Sequence, residues 1–590
     1  MRSSRGIRLR GIVLLVALLL LSGCGVRVGT DQVSDVWGRG HLLGMASSTT
    51  SVGLAPFSDG DHVAVVWVER LEEGSEEALH LLVLDEQGAT VVDEFVAPVT
   101  DRGADVNLLV DDSRALHLLW TTGRDDSRRL WYLSLPDVLN LDAAALEGLQ
   151  PVALTTSERA VAGYEAAWHP DQGLVLLWQD TRGEVFLWNQ RQEIGPLLDQ
   201  ALALDFQLDD AGWGYVAWLT RLEGAQAAIY QAFLDPETWS LSEPREVMSN
   251  RFGGRNPPLD SVGGPALNLE AGEVYVSWTQ LALLGSQAQQ QLFTVALPAR
   301  GAEGEPSPPL FVGLAPGFPP MTEARDGAFP YETLANTEEN VRRTTSVGRA
   351  PQALQGQYSE TVIAISALYR TRSREEFQPT LIYLRDGKVR GYQPAVWTSE
   401  PSLNPIVRSD DEQHLYLAWV DTVGASYRYP LYLATTKPAL QASWERLVRQ
   451  DLLVILGDWS NRIAAGVFIG TISVIWLVIP LPWLLFSLAT DSVYGNRARV
   501  ALLVGLFLYW SSKYYVGSTV LTYIPGLYWL PPTWAWTLVY GVPVLILLVA
   551  MLFARLFFIR RGRDFILVRL FGVIVIVDWV LSNILYAIGY

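Results

Sequence analysis

FSDGDHVAVVW (57–67), VDDSRALHLLW (110–120), HPDQGLVLLW (169–178), LDDAGWGYVAW (208–218), LEAGEVYVSW (269–278) and SDDEQHLYLAW (409–419) are copies of one pattern. Each opens on an Asp- and Gly-rich turn and runs into an apolar strand that ends in tryptophan. QYSETVIAIS (357–366) is a weaker copy, with Ser366 where the tryptophan belongs. A second strand follows most copies: LHLLVLD (79–85), RLWYLSL (129–135), EVFLWNQ (184–190), AIYQAFL (228–234), QLFTVAL (291–297), TLIYLRD (380–386) and PLYLATT (430–436). Strand, tight turn, apolar strand and a further strand are the content of one antiparallel blade. The nearly unbroken apolar run of the tryptophan strand implies burial on both faces, as in a sheet stacked between neighbours.

Trp67, Trp120, Trp178, Trp218, Trp278 and Trp419 therefore read as repeat core. Their steps are 53, 58, 40, 60 and 141 residues, and Ser366 divides the last into 88 and 53. Such steps suit four-stranded propeller blades. Seven copies predict seven blades over residues 45–436, or eight if the 88-residue step hides one. Residues 299–356, with EPSPP and APGFPP, read as a Pro/Gly-rich insertion. Residues 31–50 are the only unassigned chain available to close the ring, as the outer strand of the blade holding Trp419.

The D-x-G-x-h-x-h-h-W pattern resembles the repeats of bacterial sialidase-like β-propellers. The resemblance covers about residues 45–436 and implies the fold. It implies no catalytic residue here, because the tryptophan comes too late for a sialidase Asp-box. Arg251, Arg255, Arg370, Arg372 and Arg374 show no spacing that groups them into the arginine triad of that chemistry.

The two ends read differently. Arg2, Arg5, Arg8 and Arg10 precede the apolar run Ile12 to Leu21, which is too short to span a bilayer and reads as an export signal. Leu21-Ser22-Gly23-Cys24 resembles a bacterial lipobox, which implies cleavage after residue 23 and acylation of Cys24. Cys24 is the only cysteine, so disulfides within the chain are excluded. Toward the C-terminus an amphipathic helix is predicted over 437–462. Apolar stretches at 463–489, 499–518, 533–556 and 565–588 predict a four-helix transmembrane domain over 463–590. Basic loops at Arg497 to Arg499 and Arg560 to Arg563 place residues 24–461 outside the cytoplasm. The resulting expectation is a multi-pass lipoprotein of the bacterial cytoplasmic membrane, with membrane lipid as one partner.

Charge excludes one class of partner. The chain carries −18, its first 23 residues +4 and residues 462–590 +6, which leaves −28 on 24–461. Such a segment repels phosphate backbones, so nucleic acid is not expected. His41, His62, His80, His117, His169 and His414 show no metal-ligand spacing, and no phosphate loop or nucleophile elbow occurs; no metal or cofactor is expected. Asp111-Asp112, Asp209-Asp210 and Asp410-Asp411 sit where turns need Asp. Lys513 and Asp578 form a candidate ion pair between two predicted spans, with Ser582 beside it. The leading functional reading is a binding or scaffolding module for a protein or glycan partner. The alternatives are a glycan-directed hydrolase on the central face, or an accessory subunit of an envelope complex. The hydrolase requires paired carboxylates or arginines gathered on one face of the ring.

Overall fold

The computed structural model describes residues 30–444 and 474–589, apart from gaps of which the longest are 249–257, 316–328, 331–339 and 517–531. The expected signal, Cys24, Arg251, Arg255, Arg372, Arg374 and residues 445–473 lie outside the described residues. The chain forms two compact units, one spanning most of 29–447 and the other helical beyond 448.

The first unit is a seven-bladed β-propeller of antiparallel sheets. Blade 1 comprises Val52–Pro56, His62–Arg70, Glu77–Asp85 and Thr90–Val99. Blade 2 comprises Val106–Val110, Leu116–Thr122, Arg129–Leu135 and Val152–Ala153. Blade 3 comprises Val161–His169, Gly173–Asp180, Val185–Trp188 and Glu193–Leu198. Blade 4 comprises Ala201–Leu208, Gly214–Arg221, Ala227–Leu234 and Arg245–Glu246. Blade 5 comprises Val262–Glu270, Glu273–Leu284, Gln287–Pro298 and Leu310–Val312. Blade 6 comprises Gln352–Ala353, Thr361–Arg370, Glu375–Arg385 and Lys388–Pro394, with Phe329–Pro330 as an added edge. Blade 7 comprises Ser402–Ser409, Leu415–Asp421 and Tyr429–Thr435 and takes its outer strand, His41–Ala46, from the other end of the chain. Each blade touches the next through its innermost strands, around to blade 7 against blade 1.

The repeat dictates this packing in three ways. First, the tryptophans end the second strands and are at most 4 % exposed. Each faces a third-strand partner, and the partners of Trp120, Trp178, Trp218, Trp278 and Trp419 are all aromatic: Trp131, Phe186, Tyr230, Phe293 and Tyr432. Second, the turn Asp closes the hairpin with its side chain. The backbone N–H groups of Ala115, Trp213 and His414 donate to Oδ1 of Asp111, Asp209 and Asp410 at 2.7, 2.8 and 2.7 Å. These loops need one residue at positive φ, supplied by Arg114, Gly212 and Gln413. Third, a ring three residues before the tryptophan binds the other carboxylate oxygen: His117, Tyr215 and Tyr416 at 3.2, 3.2 and 3.1 Å.

Blade 6 departs from the pattern for a packing reason. Gly348 donates its N–H to the Ser366 carbonyl at 2.6 Å, and a Cβ on Gly348 would lie 3.3 Å from Ser366 Cβ. The passing chain occupies the space an indole needs. The stretch read as an insertion thus supplies the outer strand of blade 5, the edge strand of blade 6 and its inner strand. The ring is sealed where His41–Ala46 pairs antiparallel with Tyr429–Thr435. Gly44 is needed there, because a Cβ would stand 2.7 Å from the Trp67 ring. Helix α1 (Pro438–Trp444) covers this seam, with Trp444 stacked on His41 at 5.0 Å and accepting from Arg39 Nε at 2.8 Å.

The helical unit contains α2 (Pro480–Ala489), α3 (Gly495–Val516), α4 (Pro532–Ile559) and α5 (Leu567–Gly589). The expectation of a four-helix transmembrane domain, and with it the multi-pass placement in the cytoplasmic membrane, is corrected here. Among the described residues no helix is long and apolar enough to cross a membrane. The ten residues of α2 rise about 15 Å, half of a hydrocarbon core of about 30 Å. Helix α3 carries Arg497, Arg499 and Lys513. Helix α5 carries Asp578 within its length.

Candidate functional site

The innermost strands carry polar residues at repeated register positions. Asn107, Glu165 and Asp205, on blades 2, 3 and 4, each pair with the residue just before the repeat tryptophan. Two residues further along their strands, Gln207, Asn268 and Arg408 on blades 4, 5 and 7 pair with Tyr215, Tyr275 and Tyr416. The intervening positions Leu108, Ala166, Phe206, Leu267 and Val407 are buried apolar core. Alternation along a strand therefore sends both polar tiers to the opposite side.

Contacts locate that side at the axis. Gln207 of blade 4 donates to the Leu354 carbonyl beside blade 6 at 3.2 Å, passing over blade 5. Arg408 of blade 7 feels the charges of Glu165 and Asp205, on blades three steps away in either direction around the ring. Groups so placed can meet only across the central channel.

Inside the channel the carboxylates differ. Asp205 Oδ2 accepts the Leu267 N–H at 2.6 Å and Oδ1 its neighbour Phe206 N–H at 2.7 Å. Burial pushes Asp205 up to about 6, opposed by those two bonds and by Arg408. Glu165 has no such donors among the described residues. Burial, followed by the nearby Asp205 charge, raises it well above the usual carboxylate range. Burial lowers Arg408 to about 10, against the pull of Glu165 and Asp205. Within these two tiers three buried atoms lack a hydrogen-bond partner among the described residues: Asn107 Oδ1, Asn268 Nδ2 and Arg408 Nε. Asn268 Oδ1, by contrast, accepts the Leu354 N–H at 3.0 Å.

The residues singled out from the sequence fall elsewhere. The six tryptophans form blade core. Asp111, Asp209 and Asp410 are held in their turns by backbone and ring donors, as described above. Asp410, Glu412 and His414 bring ligand-type atoms within 4.8 Å of one another. Lys437 Nζ approaches the same place, binding the Gly60 carbonyl, so the positive charge there comes from the chain itself. In the helical unit Lys513 Nζ lies 2.9 Å from Asp578 Oδ2 and 2.7 Å from Ser582 Oγ, and Tyr509 donates to Asp578 at 2.8 Å.

Glu165, Asp205 and Arg408 were not identified from the sequence. The repeat pattern begins at the turn and leaves the preceding strand unaligned. Their trace is present nonetheless: Asn107, Glu165 and Asp205 each stand thirteen residues before a repeat tryptophan.

No family model matches the chain, and no curated protein matches it. Among solved structures, the polysaccharide lyase Uly1 is 13% identical over 64% of this chain and 88% of its own, with a TM-score of 0.39. An ulvan lyase from a new polysaccharide lyase family is 10% identical, covering 68% and 95%, with a TM-score of 0.37. An α-L-arabinanase of Penicillium chrysogenum is 10% identical, covering 67% and 98%, with a TM-score of 0.35. The likeness concerns the fold, and no chemistry is taken from it.

Proposed function

We propose that the propeller is a glycan-directed hydrolase working at its axis, with Glu165 as general acid and Asp205 as its carboxylate partner. The observation that carries this reading is the pair itself. Two carboxylates occupy equivalent positions on adjacent inner strands but have unequal surroundings. Glycosidic cleavage needs one carboxyl group that keeps its proton near neutral pH and one that gives it up. Arg408 draws both carboxyl groups toward the ionised form, but only Asp205 has two N–H donors; Glu165 has none among the described residues. Glu165 protonates the leaving glycosidic oxygen, and Asp205 activates water or stabilises the developing positive charge at the sugar. Export with acylation at Cys24 belongs to the same proposal and places the reaction outside the cytoplasm; mass spectrometry of the N-terminal peptide tests it, an intact Met1 start overturning it.

The catalytic claim is tested by release of reducing ends from a panel of polysaccharides. Wild type is expected to act on at least one of them, and Glu165→Gln to lose that activity. Glycan binding without turnover by the wild type would replace this reading with that of a binding module.

A further inference from the structure

We infer that the axial site takes an uncharged sugar unit, recognised through its hydroxyl groups. The inference deepens the hydrolase reading and rests on it for what the site is used for, although its test reads binding alone. Three buried atoms of the two axial tiers are left without partners among the described residues. Arg408 Nε and Asn268 Nδ2 are donors that lack acceptors, and Asn107 Oδ1 is an acceptor that lacks a donor. Asn268 is 2 % exposed, so bulk water does not satisfy its amide. Leaving such an atom unpaired is costly, so a ligand that completes it gains what the chain lacks.

The two orphan donors lie on either side of the short inner strand of blade 6. Asn268 Oδ1 is fixed by the Leu354 N–H, and Arg408 pairs by its backbone with Gln355. The orphan acceptor stands on blade 2, beside the carboxylates of blades 3 and 4. A ligand that fits this set must accept on one side and donate on the other. A hydroxyl group does both, and a sugar ring carries several at fixed spacing. A carboxylate or phosphate on the ligand only accepts. It also brings a second anion to the Asp205 carboxylate, whose charge Arg408 already offsets. Charge and hydrogen-bond sense thus select the same ligand class: a neutral sugar with neighbouring hydroxyls.

Calorimetric titration of the full chain at neutral pH, with xylobiose, cellobiose and digalacturonate as probes, decides the matter. At least one neutral disaccharide is expected to bind, and digalacturonate at least tenfold more weakly. Asn268→Asp keeps the oxygen that holds Leu354 and replaces the orphan donor by an acceptor; it is expected to weaken the neutral probe about 3–10-fold, the value of one neutral hydrogen bond. Asn107→Ala is expected to act in the same range from the other side. Tighter binding of digalacturonate, no binding of either neutral probe, or unchanged affinity in both variants overturns the inference. Turnover is read separately: binding without hydrolysis leaves this inference standing and removes the hydrolase reading, while hydrolysis unaffected by either variant does the reverse.

Discussion

At the hairpin turns, Asp111, Asp209 and Asp410 each use both carboxylate oxygens, one on a backbone N–H and one on a histidine or tyrosine ring. On the axis, Glu165 feels the charges of Asp205 and Arg408, and two amide atoms of the same tiers have no partner among the described residues. Both sets recur at fixed register in the same repeat. The turn carboxylates bind groups of their own hairpins and hold them closed; on the axis Asp205 is also bonded at both oxygens, but one donor, Leu267, comes from the next blade, and Glu165 has no donor among the described residues. The axial set is strained by burial and like charge, which is the condition under which proton affinity shifts and a polar ligand gains from entering. Repetition of an acid along a sequence is therefore no guide to its role; what surrounds it in the closed ring is.

The sharpest way to break this contrast is to exchange the consequences. Glu165→Gln is expected to lower kcat/KM on a responsive glycan by about 10²–10⁴, the usual range for a lost general acid. Because it removes a half-buried carboxyl crowded by Asp205, its melting temperature should equal or exceed that of wild type at pH 8. Full activity, or collapse of the fold, would place Glu165 with the structural acids. Asp410→Ala should do the opposite. It strips partners from the His414 N–H and the buried Tyr416 hydroxyl, a destabilisation of about 1–3 kcal/mol by chemical denaturation. The activity of the molecules that remain folded should be unchanged.

The helical unit holds a third arrangement, a buried carboxylate already matched to a cation. Lys513 and Asp578 are 1 % and 0 % exposed. Replacing either alone is expected to cost that unit about 3–5 kcal/mol, because the survivor is left unpaired in a dry site. Exchanging the two residues should recover part of the loss. Additive effects in the double-mutant cycle would show that the pair does not act as one.

Much of the propeller was legible because its strongest signals are local. A turn Asp, a residue at positive φ and a two-face apolar strand lie within eleven consecutive residues, so one window shows the whole hairpin. Ring closure was open to strand accounting, since one blade lacked an edge and residues 31–50 lacked an assignment. The inner strand of blade 6 was hidden because only Gln352–Ala353 is regular there and Ser366 breaks the tryptophan spacing. The axial site was harder still. Its members come from five blades, separated by up to about 300 residues, and each one alone is an unremarkable polar residue on a strand. Only the circular closure brings blade 7 across from blades 3 and 4. The C-terminal apolar stretches illustrate the converse: counting apolar residues predicted four spans, and the described helices do not supply them.

The smallest expected effect tests whether a buried acid outside both sets follows the same rule. Asp421 ends the second strand of blade 7 and is 2 % exposed. Its Oδ1 accepts from Ser402 Oγ at 2.7 Å and from Trp419 Nε1 at 3.1 Å. Burial is the largest influence and, aided by Glu400 and Glu376, pushes the group up to about 8 despite those bonds. The folded chain thus holds a proton that the unfolded chain releases near pH 4. In that situation stability is lost as pH rises from about 4 through about 8, and the loss is complete above it. Asn in place of Asp keeps the Oδ1 acceptor and cannot ionise, so it escapes the loss. Asp421→Asn should therefore melt within a degree of wild type at pH 4 and about 2–4 °C above it at pH 9. A gain of equal size at both pH values would trace the effect to packing, and no gain at pH 9 would show that two hydrogen bonds suffice to hold a buried carboxylate in its charged form.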